Sequence, residues 1–492
     1  MYSQLSWPRD GVFHGGTSGS LVRDHPDGRP SLSGRLLVVV FLVGLHLNPL
    51  EVHQPVPYLL SFLAAIGLVV RQRKTMPKRQ TYYVALFLGV ALVCTLIAPR
   101  PEYMGARIVS LTYLFASITG GFALYLELRH WPRNLISKYV GIGATILLMG
   151  ATLEISLEPI REVSDFYRYW NFAFPYANDW RDVLYHGSVR PKFFSSEPSY
   201  LADSMVFLLT AWLFVSTRPR KFLIFWIGTF LALYLLRSPL LVILPIAAAV
   251  YVLDVSRIRQ FGMNERGVRV VGGSLTLVLF LFGSTLMMWE AITPRIEQIL
   301  SGNDMSTAIR IWASFAIVPE LLSYNPITGI GVGGTEAFAY DVIARQFAEL
   351  GSWLVSTASE QGTLEHLIEN FVANYVISFG VVGGVLGIII LIRFIGCAAP
   401  RKSWQVWPLF FLFALAHGPL NGLVIWTIFF SLPLMLKSST TEVQATALPT
   451  FPTQDSKLCR SLSSSSVFPA RFRRVVWSSR TTQQRDWGDR KL

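Results

Sequence analysis

The sequence is poor in charge. Asp, Glu, Lys and Arg make up 15% of its 492 residues, against 52% hydrophobic. Soluble domains carry about a quarter charged residues, so this balance excludes an ordinary soluble globular chain. Cysteine is scarcer still. Only Cys94, Cys397 and Cys459 occur. Cys94 lies in an apolar run and the other two in segments read below as cytoplasmic, which argues against a disulfide framework. The eight histidines show no HExxH or comparable ligand spacing, so no structural or catalytic metal is expected. No GxSxG lies near a histidine of the polar loops, which leaves a Ser-His-Asp nucleophile without support. The stretch "GIGVGG" follows no strand, so a dinucleotide cofactor is not expected. Its glycines read instead as a place where backbone approaches another segment closely. No cleavable signal peptide is evident, because residues 1–34 are polar and Gly-rich.

What the chain has in abundance is long apolar runs. Twelve are legible, near 36–50, 56–70, 80–98, 108–126, 136–157, 199–216, 221–236, 238–253, 268–288, 371–396, 404–419 and 421–437. Each approaches the roughly 20 residues that a bilayer requires. None alternates with the period of a barrel strand, so the runs predict helices. The expected fold is all-α: a polytopic membrane bundle of about twelve transmembrane helices with a large extracytoplasmic loop. Residues 1–35 form a cytoplasmic tail, 36–437 the membrane domain, and 438–492 a basic, Ser-rich, disordered cytoplasmic tail.

The connections fix an orientation. "RQRKTMPKR", "ELRHWPRNLISK", "TRPRK", "DVSRIRQFGMNERGVR" and "APRK" fall on one side, and the positive-inside rule makes that side cytoplasmic. The net charge of +13 follows from these loops, so no nucleic-acid partner is needed to explain it. The other side carries 158–198 and 289–370. The latter holds Arg295, Arg310 and Arg345 against ten acidic residues. The loop "PRPEYMGAR" places two arginines on the outer side and departs from the pattern.

Four stretches bring polar chemistry to that outer face: "RPKFFSSEPSYLA", "LLRSPLL", "RIWASFAIVPELLSYNPITGIGVGG" and "EHLIENFVANYVISFGVVGG". Each key residue has a plain structural reading beside a functional one. Arg237 is either a hairpin arginine that snorkels to headgroups or an anion ligand, since its planar fork suits phosphate. Arg190 is either a loop charge or a second ligand. Arg310 starts a helix on which Ile311, Phe315 and Val318 share a face. Glu197 precedes a Pro-initiated helix capped by Ser195 or Ser196, where a carboxylate complements the dipole. Glu369 and Asn370 read as caps of the next run, and His366 as a solvated loop histidine.

In this order, the four stretches resemble the O-antigen ligase and Wzy-type polysaccharide polymerase superfamily. The resemblance spans roughly Tyr185 to Leu391 and consists of a Glu-Pro-Ser step, an Arg-Ser hairpin, "R-x-W…NPITGIGVG" and "EN…SFGVVG". It implies a glycosyltransferase-C-like enzyme of the bacterial cytoplasmic (inner) membrane acting on polyprenyl-diphosphate-linked oligosaccharides. It implies that Arg190, Arg237 and Arg310 hold the diphosphate, with Asn370 as a further ligand. It implies no nucleotide sugar, no cofactor and, in ligase members, no metal. A flippase and a chain-length regulator are the implied partners. Ligases often carry His-Asn where this chain has Glu369-Asn370, which favours a polymerase. Glu369 is then the candidate base, with Glu197 and His366 as alternatives. A ligase acting on lipid A core or protein, and a transporter or flippase, stay open as other readings.

Overall fold

The computed structural model describes residues 30–48, 58–172, 182–183, 188–218, 220–252, 313–348, 356, 359, 364–368, 370–399, 403–416 and 418–436. Every described element is helical. The main helices are α1 (Leu32–Leu47), α2 (Leu59–Gln72), α3 (Lys78–Leu96), α4 (Met104–Leu128), α5 (Arg133–Ser156), α6 (Glu158–Asn171), α7 (Pro198–Val215), α8 (Lys221–Leu236), α9 (Ile243–Val252), α10 (Val318–Tyr324), α11 (Phe371–Ala398), α12 (Ser403–Ala416) and α13 (Leu423–Leu436). Among the described residues, five segments are long and apolar enough to cross a membrane: Lys78–Leu96, Pro101–Leu128, Arg133–Ser156, Pro198–Val215 and Phe371–Ala398. Six further apolar helices are shorter, at 10–17 residues. This pattern points to a membrane protein. The expected run 268–288 and both expected tails lie outside the described residues, apart from residues 30–35.

Short connections force neighbouring helices to run antiparallel, and the contacts fix their register. Arg133 at the start of α5 donates to the carbonyl of Phe214 at the end of α7, 2.6 Å away. At the other end of this pair, the Phe193 ring, just before α7, packs onto Gly150 of α5. The shared core is aromatic. Phe87, Phe122, Phe371, Phe394, Trp426, Phe429 and Phe430 meet edge-to-face or tilted across α3, α4, α11 and α13. Lipid tails are as apolar as these side chains, so close packing rather than hydrophobic exclusion holds such helices together.

The two ends of the bundle differ in charge chemistry. One end carries the loops 71–78, 129–133 and 216–221. There buried Glu127 accepts from Arg71 Nε at 3.3 Å, Gln72 Nε2 at 2.5 Å and Trp131 Nε1 at 3.3 Å. Other cations of these loops meet carbonyls: Arg129 donates to Thr75, Arg133 to Phe214 and Lys221 to Ser216. At the opposite end basic side chains meet carboxylates: Arg100 with Asp341, Arg168 with Asp165, Arg190 with Asp182, and Arg345 with Glu320. The exceptional arginines of "PRPEYMGAR" belong to this group. Arg107 is fully buried and donates to the carbonyls of Pro99 and Arg100. Arg100 reaches Asp341 at 2.8 Å and lies 4.3 Å from the Phe338 ring centre. Arg107 thus clamps the α3–α4 turn onto α4, and Arg100 clamps that turn to the 313–348 segment.

That segment folds as a small cap whose core of Ala313, Ile317, Leu321, Ile330, Phe338, Val342 and Phe347 is shared with Ala373 and Ile377 of α11. Its buried face is therefore Ala313, Ile317 and Leu321. Of the expected face, Phe315 is exposed and Val318 half-buried, and Ile311 lies outside the described residues.

The two glycine motifs meet here. α11 is interrupted at Gly380, whose φ of 64° and ψ of −167° are not helical. The break frees the carbonyls of Ile377 and Ser378 and the amides of Val381 and Val382. The inserted loop 326–331 satisfies them. Ile330 and Gly331 donate to Ile377 and Ser378 at 2.9 and 3.2 Å. Val381 donates to Pro326 at 2.8 Å, and Val382 and Gly383 to Ile327 at 3.0 and 3.2 Å. Irregular backbone survives inside a membrane-type bundle only when its polar groups are paired in this way. Gly329, at φ 70°, lets the loop approach: a Cβ there would sit 2.3 Å from the Ile377 carbonyl oxygen.

Candidate functional site

Polar chemistry gathers at the carboxylate-rich end, where α1, α5 and α6 finish and α7 begins. Glu154 stands in the last turn of α5. Its Oε2 accepts the backbone amides of Lys192, at 3.0 Å, and of Phe193. Ser164 of α6 accepts the next amide, from Phe194, at 3.0 Å. Three consecutive N–H groups are thus taken by side-chain oxygens, two of them converging on one point, an arrangement suited to an anion. Here the protein's own carboxylate occupies it. The turn is strained, since Phe193 and Phe194 both have positive φ, 38° and 65°. Bulky residues adopt this region only where surrounding contacts impose it. His46 adds one such contact, its Nε2 lying 3.1 Å from the Phe193 carbonyl. A carbonyl only accepts, so Nε2 carries the proton and Nδ1 faces Ser204 Oγ at 3.5 Å.

Charges around the turn balance. Lys192 is buried with Nζ 4.0 Å from Asp165, which also pairs with buried Arg168. With Glu154 this makes two cations and two carboxylates. Tyr167 donates to the Leu47 carbonyl at 2.8 Å, and burial pushes its phenol up to about 12, so it remains a donor.

The sequence-derived site residues are placed as follows. Arg190 is held by fully buried Asp182, with Nε at 2.9 Å and Nη2 at 2.8 Å. Its charge is compensated within the protein, which leaves it little surplus for a diphosphate. Glu197 is itself the N-cap residue of α7, followed by Pro198. Capping by Ser195 or Ser196 is therefore corrected: Ser195 Oγ lies against the carbonyls of Lys192 and Glu197 instead. The Glu197 carboxylate caps no helical amide, and it accepts from Ser199 at 2.7 Å. Arg237 ends α8 in a left-handed conformation, φ 44°, with its amide donating to Leu233. Asn370 is a buried N-cap, its Oδ1 accepting the Ala373 amide at 3.0 Å and its Nδ2 reaching the Leu415 carbonyl at 3.4 Å. The capping role thus holds for Asn370. His366 lies in a single 3₁₀ turn, Leu364–Leu367. Glu369 and Arg310 lie outside the described residues.

The α7–α8 hairpin relates two of these groups. α7 has 18 residues and α8 has 16, about 27 and 24 Å of helix at 1.5 Å per residue. The two helices pack against each other and are joined by a short link. Arg237 consequently returns to the end where Glu197 opens α7. The sequence reading missed Glu154, Asp165, Arg168, Lys192 and His46. Among the described residues, no three His, Cys, Asp or Glu side chains are grouped to hold a metal ion.

No protein-family model matches the chain, and no curated protein sequence matches it. The resemblance drawn above rests on the motif residues alone.

Proposed function

We propose that the chain is a glycosyltransferase of the bacterial cytoplasmic membrane that joins polyprenyl-diphosphate-linked oligosaccharide repeat units at the outer surface. The α7–α8 hairpin carries this reading, because it brings a carboxylate, Glu197, and a guanidinium, Arg237, to one end of the bundle. The basic loops lie at the opposite end, which the positive-inside rule makes cytoplasmic. A lipid diphosphate holds its anion just above the hydrocarbon, where an arginine at a helix end can bind it and stabilise charge on the leaving group. In the reaction, the acceptor hydroxyl oxygen bonds to the anomeric carbon. The bond from that carbon to the diphosphate oxygen breaks, and the hydroxyl proton passes to a carboxylate. Single displacement inverts the anomeric centre. Arg237 and Arg310 supply the clamp. Arg190 positions the entry segment through Asp182. Glu369 is the first candidate base and Glu197 the second.

The transporter reading would use a broken helix as its binding site. The break at Gly380 is filled by backbone of 326–331, which removes the feature that would favour it. In cells whose own copy is deleted, Arg237→Ala at normal abundance is expected to abolish polymer. Normal polymer from that variant would refute the clamp.

A further inference from the structure

We infer that α6 is an in-plane membrane helix, seated in the phospholipid interface by the face that bears Val163, Phe166 and Trp170. The helix is amphipathic in reverse. Ser164, Arg168 and Asn171, spaced i, i+4 and i+7, are buried. Phe166 is 70% exposed, Tyr169 60%, Trp170 58% and Val163 57%. At 3.6 residues per turn, Val163, Phe166 and Trp170 share one outward arc with Pro159. Glu158 and Glu162, both exposed, occupy the flank beside that arc, with Tyr169 on the same flank. The helix therefore has three sides: polar against the protein, apolar outward, and acidic at the edge between them.

The occupant of the apolar side follows from where α6 starts. Only Leu157 separates it from the end of α5, which is long and apolar enough to span a membrane. The outward stripe of α5, Ile142, Ile146, Met149 and Leu153, is exposed, as a lipid-facing stripe must be. Exposed Leu157 carries that apolar surface into α6. A second crossing is excluded. Fourteen residues make about 21 Å of helix, short of a bilayer core, and they include Glu158, Arg161, Glu162, Asp165 and Arg168. A helix that leaves the bilayer edge with an apolar arc, and has too much charge to re-enter, lies in the interface. Tryptophan and tyrosine are the side chains that favour this level. Phe166 and Trp170 stack there, with ring centres 6.4 Å apart and planes at 21°.

This position gives the inner face a task. Ser164 holds the Phe194 amide and Asp165 lies 4.0 Å from Lys192 Nζ. α6 thereby ties the bilayer surface to the strained turn that leads into α7. The inference is independent of the chemistry proposed for Glu197 and Arg237.

The test uses the full chain in nanodiscs of palmitoyl-oleoyl phosphatidylethanolamine and phosphatidylglycerol. A photoreactive p-benzoylphenylalanine replaces Val163, Phe166 or Glu162 in separate variants. After irradiation, mass spectrometry is expected to find phospholipid adducts several-fold more abundant at positions 163 and 166 than at 162. Equal adducts at all three positions overturn the proposal. So does cross-linking of 163 and 166 to a second copy of the chain or to another part of the same chain. A second measurement avoids the bulky probe. Tryptophan quenching by lipids brominated on their acyl chains, taken as wild type minus Trp170→Phe, isolates Trp170. A quenched difference signal supports the interfacial seat, and an unquenched one overturns it.

Discussion

Replacing Gly380 by alanine should cost more than any other single methyl group added to α11. The residue sits at φ 64° and ψ −167°, a region that side-chain-bearing residues enter only at about 1–3 kcal/mol. The new Cβ would lie 2.4 Å from the Gly329 nitrogen and 2.7 Å from the Ile327 carbonyl. These are backbone atoms, so no rotamer change relieves the contact. If the loop retreats, five backbone hydrogen bonds between 326–331 and 377–383 are lost. Each is worth about 0.5–1.5 kcal/mol net, and more where a buried group is left unpaired. The low end of these terms already exceeds about 3 kcal/mol, a large share of a typical stability of about 5–15 kcal/mol. Gly396→Ala is the matched control: it lies in the same helix with nothing within 4 Å of the added Cβ. It should be neutral or gain about 0.5–1 kcal/mol from the lower flexibility of alanine. Thermal unfolding of the purified variants in detergent measures both. A Gly380→Ala protein as stable as Gly396→Ala would refute the docking of the loop on the break.

Two further expectations follow from single contacts. Glu154→Ala removes the acceptor for the amides of Lys192 and Phe193 and should cost about 1–3 kcal/mol for each orphaned donor. Glu154→Gln keeps an oxygen there and should retain most of the stability; equal loss in both variants would mean that charge, not hydrogen bonding, holds the turn. In a Cys459→Ser background, exposed Cys397 should react with a membrane-impermeant maleimide only when the cytoplasmic side is opened, while buried Cys94 stays unmodified. Labelling of Cys397 in sealed cells would reverse the orientation.

The helices were legible because apolar runs of span length leave the backbone few alternatives. Their ends were less so: the run read as 36–50 begins at Leu32, where Ser31 accepts the Gly34 amide as N-cap. The glycines of "NPITGIGVGG" announced a close backbone approach, but nothing in them named α11 as the partner. α6 escaped notice within the loop 158–198, although the spacing of Val163, Phe166 and Trp170 was there to read. Only tertiary structure shows that its polar residues Ser164 and Arg168 are the buried ones. The pairing of Glu154 with Lys192 and Phe193 spans 38 and 39 residues, and no local pattern encodes it. Arg190 reads as a ligand through the resemblance, and nothing local in the sequence marks Asp182 as the buried carboxylate that holds it.

The most direct test of the proposed function uses purified protein in nanodiscs supplied with a polyprenyl-diphosphate-linked repeat unit and no nucleotide sugar. The wild-type chain should convert it into a ladder of longer lipid-linked oligosaccharides and release polyprenyl diphosphate, and Arg237→Ala, folded by its melting curve, should give none. Movement of the intact lipid-linked unit between leaflets with no ladder, or a ladder unchanged in Arg237→Ala, would contradict the account.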